Sequence, residues 1–237
     1  TPYAAIEELI EGVNTALAGS EKITYEDVLH TYGGLRPLVE DKGKSVRESS
    51  RRYGIFDSAK DGFEGLITVE GGKYTTSRNL ARHVMETVAK KLNLKRTKCS
   101  TDKRYLAGCE IKDINKFIDD LKAENKDFGG KTVECLGRYY GTESRAVLEL
   151  ARRNKSLAER LNADGEIAAQ AVYAIREEMA LSLKDILMRR TGIGALGDPG
   201  DAALRIVADI AAKELKWDDA RKSREIKEAG ELFKIPG

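Results

Sequence analysis

The sequence is most restricted where a strand pattern passes through a glycine pair into the start of a helix. This segment runs from Ile67 to Arg78 and reads Ile-Thr-Val-Glu-Gly-Gly-Lys-Tyr-Thr-Thr-Ser-Arg. A glycine pair lets the backbone come close to a ligand, and the first turn of a helix offers free N–H groups and a partial positive charge. We therefore expect the segment to seat an anion or a flat, electron-rich group.

The apolar pattern predicts an α+β fold: a small antiparallel sheet with helices, followed by an all-helical domain. Strand patterns cover residues 31–39, 51–57 and 65–69, and helical spacing governs residues 3–17 before them. After the glycine pair, an amphipathic helix places apolar side chains on one stripe, namely Leu80, Val84, Val88 and Leu92. We expect the sheet to be completed within the first 92 residues.

The domain boundaries follow from a change of pattern after residue 92. Residues 1–92 are predicted to form one part that mixes helices with the small sheet, and residues 93–110 read as a polar linker. Residues 111–237 show only helical periods and are predicted to form a separate helical domain. Ser182 with Asp185, like Thr24 with Asp27, is typical of a capping box at a helix start.

Composition argues against several classes of function. The formal net charge of the 237 residues is only +2, which does not favour a nucleic-acid partner. No apolar run is long enough to span a bilayer and no signal peptide is visible, so we predict a cytoplasmic protein. Three cysteines (Cys99, Cys109, Cys135) lack zinc or iron–sulfur spacing, and His30 and His83 are far apart in sequence, so we predict no metal site.

Residues 192–197 contain a literal Gly-x-Gly-x-x-Gly sequence. The dinucleotide-binding motif requires a strand before the first glycine and a helix that begins at the last one. Here a charged, helical pattern precedes the glycines, and Asp198-Pro199-Gly200 follows them. We therefore predict an interhelical loop with left-handed glycines.

Four motifs in order carry a family resemblance. The first three are Thr31-Tyr32-Gly33-Gly34-Leu35-Arg36-Pro37-Leu38, then Ser50-Arg51-Arg52-Tyr53, then Gly71-Gly72-Lys73-Tyr74-Thr75-Thr76-Ser77-Arg78. The fourth, from Glu177 to Thr191, reads Glu-Glu-Met-Ala-Leu-Ser-Leu-Lys-Asp-Ile-Leu-Met-Arg-Arg-Thr. Together they resemble FAD-dependent glycerol-3-phosphate dehydrogenases, which belong to the D-amino-acid-oxidase-like flavoenzymes.

The resemblance implies an oxidoreductase that converts sn-glycerol 3-phosphate to dihydroxyacetone phosphate and passes electrons to quinone or oxygen. In that family the FAD-binding Gly-x-Gly-x-x-Gly unit lies near the N-terminus, and this sequence shows no such unit after a strand. We therefore expect the chain to be the C-terminal portion of a longer enzyme, in which residues 1–92 form the C-terminal part of the FAD- and substrate-binding domain. On its own it is expected to be inactive and not to retain FAD.

The same resemblance implies roles for individual residues. Arg36 would be catalytic at the C2 end of the substrate, and Arg51 and Lys73 would bind the substrate phosphate. The cofactor would be bordered by Gly71, Gly72, Lys73, Tyr74 and Thr75. Taken alone, each arginine also fits a surface ion pair, and Lys73 also fits a solvent-facing position. An adjacent arginine, Arg52, leaves open which of the two side chains points inward.

Three classes of function stay open at this point. The first is the glycerol-3-phosphate enzyme, whose partners would be the missing N-terminal FAD domain, glycerol 3-phosphate and an electron acceptor. The second is another flavoenzyme of the same superfamily with a different substrate. The third is a non-catalytic helical interaction module. A homo-oligomer and a peripheral contact with the inner face of the cell membrane are compatible with the resemblance, and a nucleic-acid partner is not expected.

Overall fold

The structure is a computed structural model that describes residues 2–17, 21–34, 53–95 and 97–236. The chain divides into two compact units. One comprises Thr1–Tyr32 with Leu106–Gly237, and the other comprises Gly33–Tyr105. The sequence pattern groups residues 1–32 with the hairpin, whereas this division groups them with the helical part. The predicted boundaries at 92 and 110 stay predictions.

The described residues are mainly helical, with a single two-stranded sheet, so the predicted α+β class is confirmed. The helices, in chain order, are α1 Tyr3–Ala16, α2 Ser77–Lys91, α3 Ile114–Glu124, α4 Gly130–Tyr140, α5 Ser144–Arg153, α6 Ala169–Glu177, α7 Leu183–Asp185, α8 Asp201–Leu215 and α9 Asp219–Leu232. The short helix α7 continues as a π-helical turn over Ile186–Arg190.

The sheet is an antiparallel hairpin of β1, Tyr53–Asp57, and β2, Ile67–Gly71. Tyr53 lies opposite Gly71 and Asp57 lies opposite Ile67. The predicted strand at 65–69 therefore begins two residues too early. Residues 31–34 of the predicted strand 31–39 have no regular structure, and residues 35–39 lie outside the described residues.

The hydrophobic core of the larger unit is built by helices α3 to α9. Their apolar residues recur at helical spacing and are removed from water, including Leu136, Leu148, Leu183, Leu187 and Val207. Helices α3 and α4 pack closely because α4 carries a glycine at their contact. A side chain at Gly137 would meet Ile118 and would come within 3.0 Å of the Leu121 side chain. The buried residues of the helical part form two hydrophobic clusters, one with Leu136 and Leu148 and one with Leu183, Leu187 and Val207.

Both predicted capping boxes are present. The Asp27 carboxylate accepts hydrogen bonds from the Thr24 N–H at 2.7 Å and from the Thr24 hydroxyl at 3.1 Å. Ser182 and Asp185 form the reciprocal pair at the start of α7. Each box satisfies N–H groups that have no partner inside the helix. Within the described ranges, no helix is long and apolar enough to cross a membrane.

Candidate functional site

The glycine pair predicted to face a ligand forms a left-handed turn at the end of β2. Gly71 has φ 73° and Gly72 has φ 93°, a backbone conformation that residues with side chains rarely adopt. A Cβ atom at Gly72 would lie 3.5 Å from the Leu80 side chain and 3.6 Å from the Cβ atom of Tyr53. The two glycines thus redirect the chain from the hairpin toward α2; both are half-buried, and the residues that follow them, Lys73 to Thr76, are exposed.

The turn continues into a single 3-10 turn, Tyr74–Thr76, that leads directly into α2. The N–H and the hydroxyl of Thr76 both donate to the Lys73 carbonyl, at 3.0 and 3.1 Å. Thr76 occupies the position before α2, but its side chain caps no N–H group of that helix. Among the described residues, the N–H groups of Lys73, Tyr74 and Thr75 donate no hydrogen bond. They are therefore available to a ligand, as at other helix starts.

The charge of the turn comes from Lys73, whose side chain is exposed, and the neighbouring Tyr74 side chain is 95% exposed. Three free donors and one ammonium group in sequence suit an oxyanion or the electron-rich edge of a ring. This chemistry is the one predicted for Gly71, Gly72, Lys73, Tyr74 and Thr75, which lie together in one exposed turn.

Helix α2 contacts the first strand of the hairpin at two places. At the middle of the helix, the Nδ1 atom of His83 is hydrogen-bonded to the Tyr53 hydroxyl. Near its end, the Lys91 ammonium contacts the Asp57 carboxylate at 2.7 Å. The hydrogen bond from Lys91 lowers the pKa of Asp57 and keeps this carboxyl charged. The two contacts hold the first and the last residue of β1 against one helix.

The Tyr53–His83 contact was not foreseen from the sequence. Arg82 donates a hydrogen bond to the Nε2 atom of His83 at 2.7 Å, and a guanidinium group can only donate. The Nε2 atom of His83 therefore accepts from Arg82, and the Nδ1 atom contacts the Tyr53 hydroxyl. The two side chains are thirty positions apart in sequence, and nothing in the local pattern pairs them. The only signal for this contact in the sequence was the presence of a histidine within the predicted helix.

The predicted residues Arg36 and Arg51, and the alternative Arg52, lie outside the described residues. Their proximity to the turn at Gly71–Gly72 stays a prediction. The described part of the first motif, Thr31 to Gly34, belongs partly to each compact unit and forms no helix or strand.

The fourth motif is explained by hydrogen bonds within the helical unit. The Asp185 carboxylate accepts from the N–H groups of Leu181 and Ser182, each at 3.1 Å, and also contacts Arg189. Arg190 donates to the carbonyl of Glu178 at the end of α6, at 2.7 Å. Arg190 thus binds a carbonyl at the end of a different helix from the one that it follows. These polar positions of the motif fasten the α6–α7 connection.

The segment containing Gly192, Gly194 and Gly197 forms a series of turns after the π-helical turn, so the predicted loop is confirmed. Of these three glycines, only Gly197 has a positive φ, so the predicted left-handed conformation is wrong for Gly192 and Gly194. Each glycine has a packing reason. A side chain at Gly192 would meet Glu166, one at Gly194 would meet the Phe233 ring at 2.9 Å, and one at Gly197 would meet the Leu29 carbonyl at 2.9 Å. The glycines let this loop lie against the helical core.

Comparison with known proteins places the helical part in a family. Residues 99–222 match the family model described as the C-terminal domain of alpha-glycerophosphate oxidase, which is more than half of the chain. The chain belongs to this family. The family resemblance drawn from the four motifs is thereby confirmed.

Curated relatives of this chain are glycerol-3-phosphate dehydrogenases. The Synechocystis protein is 29% identical over 234 residues, which are 96% of this chain and 41% of the relative. The mitochondrial protein of Arabidopsis thaliana is 32% identical over 229 residues, 90% of this chain and 36% of the relative. The chain thus spans about two fifths of the length of the curated relatives it matches.

A solved structure has the same fold. It is the X-ray structure of the glycerol-3-phosphate dehydrogenase from Bacillus halodurans complexed with FAD, with a TM-score of 0.75 and 24% sequence identity. The match covers 98% of this chain and 45% of that protein. The alpha-glycerophosphate oxidase C-terminal domain and the preceding hairpin unit therefore both occur in one known fold.

Proposed function

We propose that the chain is the C-terminal part of an FAD-dependent enzyme that oxidises sn-glycerol 3-phosphate to dihydroxyacetone phosphate. The observation that carries the proposal is the Gly71–Thr75 turn, which contains the Gly-Gly-Lys-x-Thr-Thr motif and two glycines with positive φ. The fold is shared with a glycerol-3-phosphate dehydrogenase whose structure contains FAD. The curated relatives that cover nearly the whole chain carry the name of this activity.

The turn fits the flavin part of FAD by its chemistry. Two left-handed glycines give a ring edge access to the backbone, and the N–H groups of Lys73, Tyr74 and Thr75 can donate to its carbonyl oxygens. The Lys73 ammonium would stabilise negative charge at that edge. When bound, FAD supplies the acceptor for the hydride that leaves the substrate.

In this proposal the other residues of the chain bind and orient the substrate. Arg51 would hold the phosphate through its planar, bidentate donors, and Lys73 would add a second positive charge. Arg36 would stabilise the oxygen at C2 as negative charge develops there. Fixing the phosphate sets the distance and orientation of the reacting carbon.

The proposed partners are an FAD-binding part of the same longer protein, glycerol 3-phosphate, and quinone or oxygen as electron acceptor. A cytoplasmic location, with peripheral contact to the inner face of the membrane, is part of the same proposal. We also propose that the chain alone does not retain FAD, because the pyrophosphate of such cofactors is held at a separate helix start.

The test uses the longer, flavin-loaded protein that contains this chain. Anaerobic addition of glycerol 3-phosphate should bleach the oxidised flavin absorbance and yield one dihydroxyacetone phosphate per flavin reduced. Glycerol, which lacks the phosphate, serves as the control and should reduce the flavin far more slowly. A flavin that stays oxidised with glycerol 3-phosphate but is reduced by an amino acid or another alcohol would refute this substrate.

A further inference from the structure

A groove of about 590 Å³ runs along α2 on the Gly33–Tyr105 unit. Its floor is formed by Ala81, Met85 and Ala89, which are spaced four residues apart on one face of α2, and by Leu94, which follows the helix. We call this feature the α2 groove. Its size is in the range of pockets that bind small molecules.

The floor of the α2 groove is apolar and open to solvent. Met85 is 62% exposed and Leu94 is 57% exposed, and no residue of α2 is fully buried. Isolated apolar side chains on a surface need no explanation, but a concave, contiguous apolar strip is typical of a binding site.

The rim of the α2 groove is positively charged. Arg78, Lys95 and Lys98 border it and form no ion pair with a carboxylate in the part of the chain that the structure describes. The carboxylate that borders the groove, Glu86, is paired with Arg82 at 2.9 Å. Three cations therefore face an apolar floor without compensation.

The rim also carries two groups that can form hydrogen bonds with a ligand's head group. Arg78 donates to the Thr101 hydroxyl at 3.4 Å, and that hydroxyl lies 3.1 Å from the Cys99 sulfur. The hydrogen bond from Thr101 lowers the pKa of the Cys99 thiol, with a further contribution from Arg78 and an opposing one from Asp102. The thiolate at this end of the groove is therefore favoured by hydrogen bonds with Thr101, and the Arg78 charge contributes least.

We propose that the α2 groove is a binding site for an amphipathic anion, a small molecule with an apolar body and one anionic head. The body would cover Met85, Ala89 and Leu94, and the head would lie among Arg78, Lys95 and Lys98. Charge complementarity selects this class over neutral or cationic ligands. None of these residues belongs to the Gly71–Thr75 turn, so the site is separate from the proposed function.

The first test is equilibrium binding of 8-anilinonaphthalene-1-sulfonate to the chain, read by its fluorescence. The double substitution Lys95→Glu with Lys98→Glu should weaken binding about tenfold or more, because it replaces two attractive charges by repulsive ones. The matched control reverses Lys112 and Lys126, which are exposed and border no part of the groove. Equal affinity in the wild type and the groove variant, or an equal loss in the control, would overturn the proposal.

The second test localises the anion with the thiol that borders the groove. A cysteine thiolate attacks the disulfide of 5,5′-dithiobis(2-nitrobenzoate), forms a mixed disulfide and releases one thionitrobenzoate, so no external oxidant is needed. Cys109 is exposed and serves as the reference in the same molecule, and burial raises the pKa of Cys135 to about 11, which keeps that thiol protonated. 4,4′-Dithiodipyridine is the neutral reagent for comparison.

We expect the rate ratio of the anionic to the neutral reagent to be several-fold higher at Cys99 than at Cys109. The ratio at Cys99 should fall to the Cys109 value in the Lys95→Glu, Lys98→Glu variant and should be unchanged in the Lys112, Lys126 control. Bound 8-anilinonaphthalene-1-sulfonate should protect Cys99 and leave Cys109 reactive. Equal ratios at the two cysteines, or no protection of Cys99, would show that the groove does not select anions.

Discussion

Gly197 is the glycine of the 192–197 loop for which a side chain is least tolerable. It has φ +120°, and a Cβ atom there would lie 2.9 Å from the Leu29 carbonyl. Gly197→Ala should therefore lower the free energy of unfolding by about 2–4 kcal/mol, the sum of left-handed strain and overpacking. Urea denaturation followed by circular dichroism would measure the change.

Gly200 supplies a matched control for this substitution. It also has a positive φ, +86°, but a Cβ atom there would meet nothing within 4 Å. Gly200→Ala should cost only the backbone strain, about 1–2 kcal/mol. Equal losses at the two positions would mean that contact with the Leu29 carbonyl contributes nothing. Neither change should alter FAD content in the longer protein, because the loop is not a nucleotide site.

Arg51 and Arg36 should affect different kinetic constants in the longer enzyme. Arg51→Ala should raise KM for glycerol 3-phosphate strongly and KM for glycerol little, because a charged hydrogen bond to phosphate is worth roughly 2–4 kcal/mol. Arg36→Ala should instead lower kcat, because its contact strengthens as charge develops at C2. Steady-state kinetics with both substrates would separate the two effects.

Arg51→Lys gives an internal check on the phosphate role, since lysine keeps the charge but lacks the planar fork and should restore KM only in part. FAD content must be equal in all variants. If Arg51→Ala weakens both substrates to the same extent, Arg51 does not bind the phosphate, and Arg52 or Lys73 becomes the candidate.

The start of α7 depends on one carboxylate. Burial alone would raise the pKa of Asp185, but hydrogen bonds from the Leu181 N–H, the Arg189 guanidinium and the Ser182 hydroxyl bring this pKa below its ordinary value. Asp185→Ala removes these bonds together and should lower the free energy of unfolding by about 2 kcal/mol. Thermal unfolding at neutral pH would show the loss as a lower Tm.

Asp185→Asn is the control for charge, because the amide oxygen can still accept from the backbone. It should cost less than Asp185→Ala at neutral pH. The depressed pKa of Asp185 means that the stabilisation by its charge is present above the ordinary carboxyl pKa and is lost as the pH falls through the folded value. The difference between wild type and Asp185→Asn should therefore shrink in acid. A constant difference would contradict the assignment.

The local elements of the fold could be predicted because their signals are short in sequence. The Ser182–Asp185 capping box and the loop at 192–197 depend on neighbouring residues and were found correctly. The strand at 67–71 was misplaced by two residues because Gly65 and Leu66 fit the apolar pattern, whereas pairing with β1 begins at Ile67. The His83–Tyr53 contact could not be predicted, since it depends on how α2 lies against the hairpin.

The candidate site was predictable only in its contiguous part. Gly71 to Thr75 form one turn whose backbone freedom follows from the glycines themselves. The resemblance, and no local pattern, linked Arg36 and Arg51 to the same site, and both positions lie outside the described residues. The charged rim of the α2 groove could not be predicted, because Lys95 and Lys98 appear in sequence as ordinary surface charges and Arg78 as the last residue of the third motif.

The stability of the whole chain should depend on pH through two poorly solvated carboxyls. Burial raises the pKa of Glu166 and of Glu178, and each has a buried oxygen without a hydrogen-bond partner among the described residues. The folded chain then holds protons that the unfolded chain has already lost. Stability should fall as the pH rises from the ordinary carboxyl pKa of about 4.3 through the raised values.

Glu166→Gln should remove most of this pH dependence, because the Glu166 side chain is only 2% exposed. At neutral pH it should raise the free energy of unfolding by about 1–3 kcal/mol, because the amide cannot ionise and so removes the cost of burying a carboxylate charge. Denaturant unfolding at a series of pH values would measure both effects. Glu159→Gln, at an exposed position of the same connection, should change neither.

The distribution of buried side chains has a consequence for motion. Apart from Ile6, the fully buried apolar residues of the described chain all lie between Ile118 and Phe233. Amide hydrogens in α4, α6 and α8 can exchange with deuterium only when much of that interior opens, whereas those of α1 and α2 can exchange through local fraying. The chain should therefore exchange in two separate time regimes, with the Gly71–Thr75 turn in the fast one. A ligand that binds to this turn would slow its exchange.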